Sequence, residues 1–180
     1  SKVGHDLMSQ YYHTAYGLKV IITRMFSHEG SRRGKEFALS WFAYQIVRCE
    51  KEKGFPLGNI MGYNIRHGNL DSVRTYNHID DAVHAYWLAV DKCDYGEVYN
   101  IGGDYTCTVG DALDMLISKS TVKDKLVKVL DPDRVRPTDI TLQIPDSTKF
   151  REKTGWKPTK GLEEICDDLL DYWRNIGDLY

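Results

Sequence analysis

The chain has 180 residues, 24 of them basic and 26 acidic, so its formal net charge is −2. Hydrophobic residues make up 42% and charged residues 28% of the sequence, which is ordinary globular usage and argues against a long disordered or collagen-like chain. The near-neutral charge gives no field that attracts nucleic acid or an acidic membrane, and no apolar run approaches the roughly 18 residues of a membrane span. We therefore expect one globular domain, or one and part of another, with neither nucleic acid nor membrane as a partner.

The spacing of cysteine and histidine argues against metal and disulfide sites. The four cysteines, Cys49, Cys93, Cys107 and Cys166, form no Cys-x-x-Cys pair, and the six histidines form no His-x-x-x-His or His-Glu-x-x-His set. Structural zinc sites and disulfide frameworks depend on such spacings. The first residues also lack the apolar region of a secretory signal. These features predict a reduced, cytoplasmic setting and no metal.

The first 34 residues predict a helix, a strand and a loop at the carboxyl end of that strand. Apolar side chains recur at spacings of three and four from Val3 to Ala15, which indicates an amphipathic helix that ends at Gly17. The β-branched run 18–26 is typical of a strand that is buried on both faces in a parallel sheet. The polar loop 27–34 then lies where open α/β sheets bind ligands.

The rest of the chain alternates between helical and strand patterns, which predicts an α/β fold. Asn77 is the predicted N-cap of a helix over 79–92, and Thr108 is the predicted N-cap of the next helix. Gly155 predicts the end of a short helix. The predicted apolar face of the 79–92 helix comprises Ala82, Val83, Tyr86, Trp87 and Val90. The remaining predicted elements are helices over 37–52, 146–153 and 162–176 and strands over 65–70, 97–101 and 126–130.

Arginine-bearing loops are the main candidates for a binding site, since the chain contains no Gly-x-Gly-x-x-Gly phosphate loop. Arg32 and Arg33 lie in a glycine-flanked loop and suit a phosphate, because a guanidinium group donates two parallel hydrogen bonds; solvated surface charge is the alternative. Arg74 and Arg136 would clamp the two phosphates of a diphosphate if their loops met in the folded chain. Asp139 would then accept hydrogen bonds from sugar hydroxyls.

Several longer stretches carry a family likeness, in order along almost the whole chain. The most specific are His28-Glu29-Gly30-Ser31-Arg32-Arg33-Gly34 and Gly68-Asn69-Leu70-Asp71. Further matching stretches are 1–2 with the helix that follows, 24–27, 35–37, 72–74, 78–83, 99–103, 136–139 and 155–158. On these residues the sequence resembles the extended short-chain dehydrogenase/reductases (extended SDRs), and most closely the GDP-mannose 4,6-dehydratase family.

The resemblance implies an α/β fold: the C-terminal portion of an extended-SDR Rossmann-like fold plus the small substrate-binding domain. Residues 1–35 and about 77–101 would contribute to the Rossmann-like sheet and its helices, and about 36–76 and 102–180 mainly to the substrate-binding region. The N-terminal half, with its NADP loop, would lie outside this chain, which we therefore expect to be inactive alone. A homodimer or homotetramer is also implied, with the first helix in the interface; burial of that helix by the N-terminal half is the alternative.

The resemblance also implies residues for catalysis and cofactor binding. Lys2 matches the lysine of the family's Tyr-x-x-x-Lys motif, whose tyrosine would lie three positions before Ser1. Lys2 would bind the nicotinamide ribose and lower the pKa of that tyrosine by its positive charge. His28 and Arg33 match positions that contact the NADP cofactor, for which NAD is the alternative.

On the substrate side, the resemblance implies that Arg74 and Arg136 hold the diphosphate and that Asp139 contacts the nucleotide. Ser27 stands where the family has an asparagine that touches the substrate. The implied reaction converts GDP-mannose to GDP-4-keto-6-deoxymannose: a hydride leaves C4 for NADP, water is eliminated across C5 and C6, and the hydride returns to C6. Departures from the family pattern lie in the substrate half, so a UDP- or CDP-sugar enzyme, a 4-epimerase or a 4-keto reductase are alternatives. A non-catalytic nucleotide-sugar or partner-binding module is a third.

Overall fold

The computed structural model describes residues 1–51, 55–57 and 60–176, which form a mixed α/β fold. The helices of this part of the chain are α1 (Lys2–Tyr16), α2 (Ala38–Glu50), α3 (Ile79–Lys92), α4 (Val109–Ser118), α5 (Thr148–Thr154) and α6 (Leu162–Asn175). Its strands are β1 (Ile22–Met25), β2 (His28–Glu29), β3 (Phe55–Leu57), β4 (Ile60–Gly62), β5 (Asn64–His67), β6 (Val73–His78), β7 (Val98–Ile101), β8 (Tyr105–Thr108), β9 (Val127–Leu130) and β10 (Leu142–Gln143). None of these helices has the length and apolar character that crossing a membrane requires.

The larger hydrophobic core forms where α2, α4 and α6 pack together against β5 and β6. Helix α2 lies at its centre, because nearly every residue from Leu39 to Val47 is buried. Helix α6 contributes the apolar face that its sequence predicts, including Ile165, Leu169 and Trp173. Burial of these faces holds α4 and α6 against α2.

A second, smaller core packs β7 against α3 and α5. The ring of Phe150 meets Tyr99 and Trp156 edge to face, with centroid separations of 6.1 and 5.8 Å. The indole Nε1 of Trp156 donates a hydrogen bond to the carbonyl oxygen of Asp81 in α3 at 3.1 Å. These contacts tie α5 and the segment after it to α3.

Strand β6 joins the elements around the candidate site. Strands β2 and β10 pair with it in parallel and β8 pairs with it antiparallel. Strand β10 pairs at Val73 and Arg74, whereas β2 pairs at Asn77 and His78, so the two neighbours occupy opposite ends of β6. The parallel pairs β1–β7 and β5–β9 and the hairpin β3–β4 stand apart from this sheet. The sequence pattern predicts neither β6 nor β8, because both runs are rich in polar side chains.

Strand β1 is shorter and less buried than the sequence predicts. It covers Ile22–Met25 rather than 18–26, and among the described residues it pairs with β7 alone. Ile22 is buried, but Arg24 is exposed and forms an ion pair with Asp6 of α1 at 2.6 Å. A strand with one described neighbour lacks the two covered faces that an internal strand of a parallel sheet has.

Helix α3 has the predicted bounds, but its cap and its buried face were predicted wrongly. The N-cap is His78, whose imidazole accepts a hydrogen bond from the N–H of Asp80 at 3.1 Å. Asn77 cannot cap the helix because it is still part of the β6 ladder. Among the predicted face, only Ala82 is buried; Val83, Tyr86, Trp87 and Val90 are exposed, and the other buried residues are Asp81, Ala85 and Ala89.

The remaining helices and strands follow the sequence pattern with shifted ends. Thr108 caps α4 in a reciprocal capping box with Asp111, and Gly155 ends α5 in the left-handed conformation. The helix predicted over 37–52 spans Ala38–Glu50. Its predicted end at 52–54 lies outside the described residues.

Helix α1 ends at Gly17 in the left-handed conformation, as predicted, but contains no buried residue. Its exposed apolar side chains are Val3, Leu7, Met8, Tyr11, Tyr12 and Tyr16. Together with the exposed side of α3, they form apolar surface that the described part of the chain leaves uncovered. The division into two regions and the oligomeric state stay predictions.

Candidate functional site

A cavity of about 240 Å³ opens between the N-terminal end of α2, strand β6 and the loops 67–72 and 131–139. Its wall combines aromatic and aliphatic side chains with arginines and carboxylates. The polar residues that line it include Ser27, Glu29, Arg74, Tyr76, Arg136 and Asp139. Arg74 lies in strand β6 rather than in the predicted loop, and it shares this cavity with Arg136 of the loop 131–139.

The walls of the cavity meet because loop 131–139 passes directly over Gly68. A Cβ atom at Gly68 would collide with the backbone carbonyl of Arg134, so this close approach requires glycine. Beyond the crossing, the N–H of Val73 donates a hydrogen bond to the carbonyl oxygen of Thr141 at 2.8 Å. Strand β10 then continues the loop alongside β6 and fixes its position.

Arg74 is held in a defined position by its neighbours. Its Nη1 donates to the carbonyl oxygen of Val73 at 2.9 Å, and its Nη2 lies 3.3 Å from Oδ1 of Asp139. Oδ2 of Asp139 accepts hydrogen bonds from Ser72 Oγ at 2.6 Å and from Asn69 Nδ2 at 3.2 Å. The Ser72 hydroxyl, with Arg74 and Asn69, holds the pKa of Asp139 below its ordinary value. Asp139 therefore stays ionised and directs the Arg74 guanidinium.

Arg136 differs from its neighbour Arg134 in being available to a ligand. The guanidinium carbon of Arg134 lies 4.1 Å from the centre of the Trp41 ring, and its Nε lies 3.4 Å from a carboxylate oxygen of Asp131. Arg136 is exposed and makes no hydrogen bond or ion pair within the described part of the chain. It can therefore turn toward an anion without breaking a contact.

The side chains of residues 27–29 alternate between two sides, as they do in any extended segment. Ser27 and Glu29 line the cavity, whereas His28, between them, does not. The His28 ring nitrogen Nδ1 instead lies 3.0 Å from the carbonyl oxygen of Phe26. The structure thus brings Ser27 to the other predicted substrate residues and leaves the predicted cofactor residue His28 outside the cavity.

Glu29 is a buried carboxyl in the cavity wall that the sequence analysis did not single out. Arg33 lies beside it, with Nε 3.4 Å from Oε2, but none of the described residues donates a hydrogen bond to this carboxyl. Burial raises the pKa of Glu29 to about 7, and the charge of Arg33 offsets only part of that effect. Arg33 also stacks on Phe37, with 3.3 Å between guanidinium carbon and ring centre. The two-residue spacing from Ser27 was the signal that could have found Glu29.

Tyr76 is the second residue that sequence reasoning missed. It lies two positions after Arg74, on the same face of β6, and it lines the cavity while being only 4% exposed. Burial, with Cys107 and Glu29 nearby, raises the pKa of its hydroxyl. That hydroxyl forms no hydrogen bond within the described residues. It is visible as a site residue only once β6 is known to be a strand.

Other candidates lie away from the cavity. Lys2 is exposed in the first turn of α1, and Arg32, in the left-handed region with φ 68°, lines a separate open depression beside Asp168. The residues that the structure describes contain no group of three side chains suited to hold a metal ion. All four cysteines are free and buried.

Comparison with known proteins shows which family this chain resembles. The family model described as GDP-mannose 4,6 dehydratase matches residues 1–169. The GDP-mannose 4,6-dehydratase of Yersinia enterocolitica is 25% identical, over 93% of this chain and 49% of that protein. GDP-mannose 4,6 dehydratase 1 of Arabidopsis thaliana is 28% identical, over 89% of this chain and 42% of that protein. The chain thus spans about half the length of the curated relatives it matches.

Solved structures confirm the fold. The structure of RMD from Pseudomonas aeruginosa superposes with a TM-score of 0.80 at 20% identity, over 96% of this chain and 54% of that chain. The UDP-glucose 4-epimerase of Thermotoga maritima superposes with a TM-score of 0.77 at 28% identity, over 96% of this chain and 51% of that chain. The fold is therefore that of part of a Rossmann-like extended SDR. Together with the family model that matches residues 1–169, this confirms the likeness seen in the sequence: the chain belongs to the GDP-mannose 4,6-dehydratase family.

Proposed function

We propose that the protein carrying this chain, at its natural length, is an NADP-dependent nucleotide-sugar 4,6-dehydratase that acts on GDP-mannose. The observation that carries the proposal is that Arg74 of strand β6 and Arg136 of the loop 131–139 line one cavity beside Ser27. The dehydratases of Yersinia enterocolitica and Arabidopsis thaliana support the reaction class.

The cavity suits a diphosphate linked to a sugar. Arg74 and Arg136 supply two guanidinium groups, each of which can donate parallel hydrogen bonds to phosphate oxygens. Asp139, with its oxygens bound to Arg74, Ser72 and Asn69, acts by orienting Arg74 rather than by presenting a free carboxylate. Binding pockets for organic ligands typically start near 300 Å³, so at about 240 Å³ this cavity is too small for a whole nucleotide sugar, and we place the diphosphate and the sugar inside it and the nucleoside outside.

Two residues of this chain are proposed to hold the cofactor, NADP with NAD as the alternative. RMD was solved with NADPH, and the dTDP-glucose 4,6-dehydratase of Bacillus anthracis with NAD. Lys2 offers an exposed ammonium group, and His28 keeps Nε2 for a ligand because only Nδ1 is engaged. Arg33, the third predicted cofactor residue, would have to leave Glu29 and Phe37 to reach a phosphate. When bound, the nicotinamide supplies the hydride chemistry.

A nucleotide-sugar 4-epimerase is the second candidate. The observation that favours it is the Thermotoga maritima epimerase, which at 28% identity is as similar in sequence as the dehydratase of Arabidopsis thaliana. Both activities need a clamped diphosphate and a nicotinamide cofactor, so the cavity alone serves either one.

The product distinguishes these activities. We expect the natural-length protein, incubated with GDP-mannose and NADP, to form a 4-keto-6-deoxy product lighter by one water, without net formation of NADPH. A C4 epimer of unchanged mass supports the epimerase instead, and net consumption of NADPH with a 4-keto sugar supports a reductase. Unchanged GDP-, UDP- and dTDP-hexoses contradict the proposal.

Variants connect that activity to the cavity. Arg136→Ala removes charged hydrogen bonds to the substrate, which are worth about 1.5–3 kcal/mol, so we expect the KM for GDP-mannose to rise at least ~10-fold. The control is Lys157→Ala, since Lys157 is an exposed cation outside the cavity. An equal rise in both variants would indicate a general effect on the fold.

A further inference from the structure

Glu29 is an unusual buried carboxyl because it receives no hydrogen bond from the residues that the structure describes. It is 6% exposed and lines the cavity, and Arg33 Nε lies 3.4 Å from its Oε2 without forming a hydrogen bond. Buried polar groups in folded proteins are nearly always paired, so an unpaired one at a cavity wall calls for a partner. A ligand hydroxyl that enters the cavity would supply it.

The position of Glu29 relative to the arginines follows from the strand register. Arg74 and Tyr76 lie on one face of β6, two residues apart, which corresponds to about 7 Å along a strand. Strand β2 pairs with the far end of β6, where Asn77 N–H donates to the carbonyl oxygen of Ser27 at 3.0 Å. Glu29 therefore flanks the Tyr76 end of the cavity, beyond Arg74.

The chemistry changes from one end of the cavity to the other. The Arg74 end offers cationic donors that suit phosphate, whereas the Tyr76 end offers a carboxyl oxygen and a phenol hydroxyl, neither of which is hydrogen-bonded to a described residue. A second phosphate would be repelled by an ionised Glu29, but sugar hydroxyls both donate and accept. A hexose joined to the diphosphate spans the separation between the two ends.

We propose that Glu29 and Tyr76 form the subsite that binds hydroxyl groups of the hexose, with Glu29 as the hydrogen-bond acceptor that selects the sugar. This inference rests on the proposed function, since it assumes that the diphosphate of a nucleotide sugar occupies the Arg74 end. It assigns Glu29 a specificity role that is separate from the binding of the nucleotide.

Paired ligands with and without the sugar test the inference. Calorimetry on the natural-length protein measures the dissociation constant of each nucleoside diphosphate and of a matching nucleotide sugar. The pairs are GDP with GDP-mannose, UDP with UDP-glucose, and dTDP with dTDP-glucose. The comparison includes wild type, Glu29→Met, Glu29→Gln and Tyr76→Phe. Methionine keeps the length of the side chain and removes the acceptor, whereas glutamine keeps one acceptor oxygen.

For the best-bound nucleotide, we expect Glu29→Met to weaken the nucleotide sugar about 10-fold or more while leaving the nucleoside diphosphate within about twofold. We expect Glu29→Gln to recover most of that loss and Tyr76→Phe to show a smaller selective loss. Equal losses for both ligands, or no loss for either, would overturn the subsite. If the wild type bound no nucleoside diphosphate, both the proposed function and this inference would fail. If instead nucleoside diphosphate binding depended on Arg136 but Glu29→Met did not weaken binding of the nucleotide sugar, this inference alone would be overturned.

Discussion

Replacing Glu29 by glutamine changes how stability depends on pH. The Glu29 carboxyl is 6% exposed and receives no hydrogen bond within the described part of the chain, and this burial raises its pKa from 4.5 to about 7. Folding therefore favours the protonated form, and at higher pH the folded state must carry a buried charge. Glutamine has the same shape and no proton to lose over this range.

The magnitude follows from the two pKa values. Each tenfold change in the acid dissociation constant is worth about 1.4 kcal/mol, so a change from 4.5 to about 7 corresponds to about 3 kcal/mol. This stabilisation is fully present below pH 4.5 and is lost as the pH rises through 7. The unfolding free energy of Glu29→Gln minus that of wild type therefore increases by about 3 kcal/mol between pH 4.5 and 8.

Urea unfolding followed by tryptophan fluorescence, at a series of pH values from 4.5 to 8, measures this difference. The attraction of Arg33 for the ionised carboxylate is already included in the Glu29 pKa, and Arg33 itself does not titrate in this range. Glu36→Gln is the control, since Glu36 also lines the cavity but is exposed to solvent. A difference that stays flat or falls with pH would refute the account of Glu29 as a carboxyl without hydrogen bonds.

Further predictions concern other parts of the site and the core. Gly68→Ala places a Cβ atom against the backbone carbonyl of Arg134 and forces loop 131–139 away from residue 68, so we expect a loss of about 1–3 kcal/mol in unfolding free energy and weaker nucleoside diphosphate binding; unchanged binding would contradict the crossing. Asp139→Asn removes the charge that orients Arg74, and calorimetry is expected to show up to ~10-fold weaker GDP binding with an unchanged far-ultraviolet spectrum. Asn77 is fully buried, and neither of its amide atoms has a hydrogen-bond partner among the described residues, so Asn77→Val is expected to raise the unfolding free energy in urea by about 1 kcal/mol; a lower value would show that the amide has a partner. Burial raises the pKa of the Cys49 and Cys107 thiols to about 11 and of Cys166 to about 12, so maleimide labelling at pH 8 is expected to require unfolding; fast labelling of the native protein would contradict their burial.

Strong helical periodicity was enough to predict the helices of the larger core. The apolar face of α6 and the Thr108 cap of α4 follow from local sequence, because a solvated helix must bury its apolar stripe and satisfy its first N–H groups. Strand β6 could not be predicted in this way. Its burial comes from β2, β8 and β10, which are distant in sequence, and its own side chains alternate without a clear apolar pattern.

Helix α3 shows a second limit of periodicity. Its bounds were correct, yet the side with Val83 and Trp87 is exposed and the side with Ala85 and Ala89 is buried. The periodic spacing of large apolar residues identifies an amphipathic helix, but it does not show which side is buried. Small residues such as alanine allow close packing and can form the buried side. Which side packs depends on the neighbours, here β6 and α5.

The candidate site was only partly predictable. The family likeness identified Arg74, Arg136 and Asp139, and the fold brings all three to one cavity. The orienting contact of Asp139 with Arg74 depends on loop 131–139 crossing Gly68, a contact that no local pattern shows. The sequence did not point to Glu29 for the same reason, because its lack of hydrogen bonds from the described residues is a property of the packed cavity.

The proposed function depends most directly on a diphosphate that binds between Arg74 and Arg136. A structure of the natural-length protein with bound GDP-mannose would measure the distances from these two guanidinium groups to the phosphate oxygens. We expect both guanidinium groups to lie within about 3 Å of phosphate oxygens, with the hexose toward Tyr76. Phosphates bound outside the cavity, or held by neither arginine, would contradict the central claim.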